Sequence, residues 1–183
     1  MKKNIFDILS LPTNFFIDPK NLIIAKTNYV NNLNHGIEVR YFENGKKLSE
    51  CTWENGKLNG KELSWYEKGT LFSYKEWENG VLNGFWQEWQ ENGDKEAFGE
   101  FKNGNGVLTR WFKSGKIQSN VSYQNGLEHG RSVGFYENGK KQYLIEYSNG
   151  KVNGSMKEYD MNGKILVHKI FRNGKYVKMI VPD

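Results

Sequence analysis

Seven aromatic residues, each two positions ahead of an asparagine, pace the chain: Tyr29, Trp53, Trp77, Phe101, Tyr123, Tyr147 and Phe171, at intervals of 24, 24, 24, 22, 24 and 24. A fixed period of this length marks a repeat architecture rather than one conventional core. Six of the asparagines are followed by glycine, from Asn55-Gly56 to Asn173-Gly174, while the first unit has Asn31-Asn32. Asn-Gly is the preferred two-residue hairpin turn, because both residues enter left-handed backbone space at low cost. Seven positions after the anchor comes Gly36, Gly60, Gly84, Gly130 or Gly154. In the shortened fourth unit the matching Gly106 arrives two positions early, which places the deletion between the turn and this glycine. A second aromatic follows in each unit (Tyr41, Trp65, Trp89, Trp111, Phe135, Tyr159), and four residues beyond it stands another turn glycine, Gly45 to Gly163.

Two turns per unit leave two short strands per unit. The expected fold is therefore all-β: an elongated, open β-meander or solenoid-like array of tandem β-hairpin repeats of about 24 residues. Residues 1–28 do not match the repeat and are expected to form an N-terminal cap, with a short helix near Ile5–Leu9. Residues 29–170 hold six repeats, and 171–183 a partial seventh and a tail. Composition agrees, with 6 tryptophans, 10 tyrosines, 11 phenylalanines and 20 glycines but only 3 prolines. Such a chain is too aromatic for disorder and favours strands and turns over helices.

The anchors and the second aromatics, with Val39, Leu63 and Val133, are expected to stack on one face as a thin core. On that reading, truncating Trp65 or Trp89 to alanine costs about 3–5 kcal/mol. The opposite face of the second strand carries Phe42, Tyr66, Phe112 and Tyr136, together with Trp86, Leu108, Met156, Arg40 and Arg110. Aromatics beside arginines are the make-up of a protein-binding surface. The candidate contact residues are Trp86, Arg110, Phe112, Arg40, Phe42, Tyr66 and Tyr136, centred on Trp86, Arg110 and Phe112. The competing reading is that sheet curvature covers this face, with Trp86 packing over the shortened repeat.

Chemistry is sparse. The chain has 26 basic and 21 acidic residues, a net charge of +5 and no long run of one sign, so no nucleic-acid partner is expected. The single cysteine, Cys51, permits neither an internal disulfide nor a cysteine metal cluster. Asp7 and Pro12 interrupt the apolar N-terminus, which does not read as a signal peptide; a cytoplasmic protein is expected. His35 and His129 stand where other units have Asn59, Asn83 and Asn153, and read as turn residues; His168 lies in a strand. Gly104-Asn105-Gly106 has the look of a phosphate loop but no helix follows it, and the deletion accounts for it. No catalytic residue, metal site or cofactor is expected, and the chain does not read as an enzyme.

The run Trp53-Glu54-Asn55-Gly56-Lys57-Leu58-Asn59-Gly60, its counterpart Tyr147-Ser148-Asn149-Gly150-Lys151-Val152-Asn153-Gly154, and Phe135-Tyr136-Glu137-Asn138-Gly139-Lys140 resemble the MORN-repeat variant family. The resemblance covers about residues 29–177 and implies an open β-array that binds a partner. In bacteria it points to the YwqK-like antitoxin or immunity group, and hence to a cognate toxin held in a 1:1 complex with its active site occluded. The alternative it implies is a scaffold or membrane-associated repeat protein, with membrane contact the lesser expectation. The family brings no catalytic motif.

Overall fold

The structure is a computed structural model that describes residues 13–17 and 23–181. The helix expected near Ile5–Leu9 lies outside these residues. Sixteen strands are described: β1 (Thr13–Ile17), β2 (Ile23–Val30), β3 (Leu33–Asn34), β4 (Gly36–Tyr41), β5 (Lys47–Glu54), β6 (Lys57–Trp65), β7 (Leu71–Glu78), β8 (Val81–Trp89), β9 (Lys95–Lys102), β10 (Asn105–Trp111), β11 (Ile117–Gln124), β12 (Leu127–Phe135), β13 (Lys141–Ser148), β14 (Lys151–Tyr159), β15 (Ile165–Arg172) and β16 (Lys175–Met179). There is no helix among the described residues, hence none long and apolar enough to cross a membrane.

The chain divides into two compact units, one running to Gly80 with Glu91–Gly93 added, the other comprising Val81–Gln90 and everything from Asp94 on. In the first unit the antiparallel order is β1-β2-β4-β5-β6-β7, with β3 paired to β2. In the second it is β8 through β16 in chain order. Both paths are open, as a meander of hairpins requires. β1 adds an outer strand to β2, and the expected cap boundary at residue 28 falls inside β2.

The turn chemistry is as the sequence dictates. Asn55 (φ 50°) and Gly56 (φ 76°) take the left-handed pair of values, and the same asparagine position is left-handed in all seven units. The glycine seven positions on has a second cause. It lies directly opposite the next unit's anchor: Gly60 pairs with Trp77, Gly84 with Phe101, Gly130 with Tyr147. A residue without a side chain leaves room for the neighbouring ring.

Register breaks recur at two places in the repeat. In β5–β6 one lies between Cys51 and Trp53, where β6 holds two extra residues; in β6–β7 another lies between Ser64 and Trp65. The shortened unit lacks the first of these. Its β9–β10 register runs unbroken from Lys102 with Asn105 to Ala97 with Arg110. The two missing residues are the bulge itself, so the deletion regularises this hairpin instead of distorting it.

The expected shared aromatic core is corrected by the pairing. A two-residue turn sets each anchor opposite the residue five positions on, as Trp53 faces Leu58, and paired residues point to the same side. The two-residue bulge keeps that parity, so Cys51 meets Glu62 and Ser49 meets Ser64. Positions nine and eleven after an anchor therefore share its face, while positions ten and twelve take the other. Tyr41, Trp65, Trp89, Trp111, Phe135 and Tyr159 lie opposite the anchors and are only half-buried. Every fully buried strand residue (Thr27, Glu38, Ser73, Leu82, Glu88, Ala97, Phe101, Leu108, Ser119, Ser132 and the glycines Gly99 and Gly134) lies on the anchors' face.

Candidate functional site

The same parity relocates the residues expected to meet a partner. Trp86 and Arg110 are on the inward face. The Trp86 ring lies 6.0 Å from those of both Phe101 and Tyr123, which are 5.6 Å apart in an edge-on pair. Its Nε1–H donates to Glu88 Oε1 at 2.8 Å, and Arg110 Nη1–H donates to Glu88 Oε2. Leu108 is 2 % exposed. Trp86 and Arg110 are thus held by neighbours on this face while both stay partly accessible. Burial, and behind it the Glu128 carboxylate, holds the Tyr123 phenol above its ordinary pKa. Of the remaining residues, Arg40 is exposed and bonds Glu38 at 2.9 Å. Phe42, Tyr66, Phe112 and Tyr136 are half-buried at the mouths of the longer glycine turns, where each N–H bonds a carbonyl four residues ahead.

The inward faces of the two units differ in chemistry. In the first, the ladder runs Arg40, Ser49, Ser64, Ser73 along one row and Glu38, Cys51, Glu62, Lys75 along the next. Ser64 and Ser73 hydroxyls meet at 2.7 Å, and Trp77 Nε1–H donates to Glu62 at 2.7 Å. Burial, with the Glu38 and Glu62 carboxylates on either side, pushes the Cys51 thiol up to about 11. A thiol so held is protonated at neutral pH and is a poor nucleophile. In the second unit the corresponding row is Leu108, Val121, Ser132, Ile145 and Met156, which is mostly apolar.

The outward face of β8–β10 carries a group of apolar side chains. Phe85, 38 % exposed, and Val107, 47 % exposed, sit at the same repeat position, eight after the anchor once the deletion is counted. Phe98 lies between Gln87 and Thr109 in the ladder, its ring 5.9 Å from Phe85, with Lys95 Nζ 5.2 Å from its centroid. Trp89 and Trp111 end the same outward rows. The signal that finds Phe85 rather than Trp86 is the odd offset imposed by a two-residue turn.

Two of the three histidines are held by hydrogen bonds. His129 Nδ1 accepts from the Asn149 N–H at 3.5 Å, the place taken by the Asn59 and Asn153 oxygens at 3.1 Å in other units. His168 Nε2 lies 3.1 Å from the Ser155 hydroxyl. Among the described residues, no group of three or more His, Cys, Asp or Glu side chains is placed to hold a metal.

A comparison with curated proteins finds no match for the chain. A family model described as MORN repeat variant matches residues 34–55, 104–125 and 128–149. Those segments hold the strand pairs β4–β5, β10–β11 and β12–β13, each joined by the longer glycine turn. These three segments, and the hairpins built on them, are what the chain has in similarity to the MORN repeat variant model.

Proposed function

We propose that this chain is a non-enzymatic protein-binding repeat module that neutralises a toxin by direct binding, occluding its active site in a 1:1 complex. The observation that carries the binding reading is the outward patch of Phe85, Phe98 and Val107 beside Trp89 and Trp111. An exposed phenylalanine and valine set among half-buried aromatics are what interface hot spots are made of. Phe112 and Tyr136, at glycine-turn mouths of the same unit, are assigned to the edge of the contact, and Trp86 and Arg110 to its support from behind. The antitoxin role rests on the resemblance to the immunity group.

The test is co-expression with the product of the adjoining gene, followed by light scattering on the purified mixture. A 1:1 complex and restored growth are expected. Phe85→Ser with Val107→Ser should weaken the complex at least about 30-fold, as loss of about 2 kcal/mol implies, with unchanged melting. Unchanged affinity would remove the patch from the interface. Sedimentation with anionic vesicles in place of the complex would favour the membrane-associated alternative.

A further inference from the structure

The residue just before the second aromatic points inward in every unit: Arg40, Ser64, Glu88, Arg110, Gly134 and Glu158. Glu88 shows how the fold satisfies a carboxylate there. Glu88 and Arg110 both pair with Ala97, one from each side. Ala97 has too little side chain to separate them, so the guanidinium reaches across to Glu88 while the Trp86 indole edge holds the other oxygen.

Glu158 occupies the same repeat position and has neither device. Its ladder partners are Tyr143 and Val167, and its neighbour two residues back is Met156 where Glu88 has Trp86. Its carboxylate makes no ion pair and no hydrogen bond among the described residues. Beside Glu158 lies a pocket of about 330 Å³ walled by the rings of Tyr136, Tyr143 and Tyr159 together with Ile145, Met156, Leu166 and the amide-bearing Gln142. Its shape has a cause. Gly134 takes the position held by Arg110 one unit earlier, and the Tyr143 ring lies over it, within 2.1 Å of where a Cβ would stand. The Tyr136 hydroxyl donates to the Tyr159 carbonyl at 2.7 Å and fixes the wall.

An aromatic pocket with one unmatched carboxylate selects a flat, delocalised cation. Guanidinium stacks on aromatic faces, gives up its weak hydration readily, and meets carboxylate with two parallel N–H donors. Ammonium is compact and strongly hydrated and fits such a site less well. We propose that the Glu158 pocket binds an arginine side chain of a partner protein, completing from outside the contact that Arg110 makes with Glu88 from within. Only the origin of the arginine rests on the protein-binding reading; the chemistry of the pocket does not.

The experiment titrates the isotope-labelled full chain with N-acetyl-arginine amide and follows backbone amide shifts. Saturable shifts confined to Tyr143–Ile145 and Met156–Tyr159 are expected. N-acetyl-lysine amide should bind several-fold more weakly, and N-acetyl-citrulline amide, the uncharged isostere, should give no saturable shift. Glu158→Gln should weaken arginine at least about tenfold, whereas Glu88→Gln should leave it unaltered. Equal binding of citrulline, retained affinity in Glu158→Gln, or no response to arginine would each overturn the assignment. If free arginine binds much more tightly than the blocked amide, the ligand is a free amino acid and the protein-partner assignment falls. Should Glu158→Gln misfold, Tyr143→Leu gives the same reading, since loss of the ring should weaken arginine while leaving a purely electrostatic site intact. The titration needs no toxin, so a failed complex would count against the proposed function alone.

Discussion

Phe101 is 3 % exposed, opposite Gly84 and in ring contact with Trp86 and Tyr123. Phe101→Ala should cost about 3–5 kcal/mol, the usual range for a buried aromatic truncated in a packed cluster. Trp65, half-buried on the other face with Lys47 Nζ 5.9 Å from its ring, should lose only about 1–2 kcal/mol on the same change, less than the core-like loss the sequence suggested. Urea unfolding of the two variants at matched slope decides the order, and a larger loss at Trp65 would return the core to its face. Cys51 gives a second expectation at this scale. Its thiol is held protonated by burial and by Glu38 and Glu62, so native protein should react slowly with a disulfide reagent at pH 8 and accelerate as pH rises through about 11. The linkage has a definite sign. An acid whose folded pKa is raised stabilises the fold below its unfolded pKa, and that contribution is lost as pH climbs from the unfolded value toward about 11. Rapid labelling at pH 8 without unfolding would contradict the placement of Cys51.

At the scale of the hairpin, the turn glycines are not equivalent. An alanine Cβ at Gly104 would stand 2.4 Å from the Gly126 nitrogen and 2.8 Å from the Asn125 carbonyl carbon, both backbone atoms of the next turn. At Gly45, with the same left-handed sign of φ, nothing lies within 4 Å. Gly45→Ala should therefore cost about 1 kcal/mol for backbone strain alone, and Gly104→Ala clearly more, because two backbones must separate. Equal melting points for the two variants would mean that the turns do not stack as described. The turns, the strand count per unit and the period were all legible in the sequence because Asn-Gly and a lone glycine each demand a particular backbone. The face was not. An even count of twelve from anchor to second aromatic suggests a shared side, but the two-residue turn makes cross-strand partners odd in separation. Trp86 and Phe85 were exchanged by that single step. The Glu158 pocket was equally hidden, since it depends on Tyr143 lying over Gly134 across a ladder, and neither residue departs from ordinary strand composition.

For the molecule as a whole, the two units share a backbone plan and differ in what they bury. All four buried hydrophobic residues among the described ones, Leu82, Ala97, Phe101 and Leu108, belong to the second unit. Among the described residues, those buried in the first unit are Thr27, Glu38 and Ser73, and the Thr27 hydroxyl has no hydrogen-bond partner there. Backbone pairing is alike in both units, so it does not separate them. Apolar burial does: one fully buried leucine or phenylalanine contributes about 1.5–3 kcal/mol, whereas a buried polar group returns little beyond its own desolvation. In a repeat array, stability is close to a sum of local terms, and opening is local too. The first unit is thus expected to open at a free energy about 2 kcal/mol or more below the second. Native-state hydrogen exchange by mass spectrometry should show peptides of β5–β6 exchanging about 30-fold faster than those of β11–β12. Leu108→Ala supplies the control, since removing that side chain costs about 2–5 kcal/mol and should bring β11–β12 down to the rate of β5–β6. Equal protection of the two hairpins in the wild-type chain, or a Leu108→Ala variant that leaves their ratio unchanged, would mean that the inward rows do not set the stability of each unit.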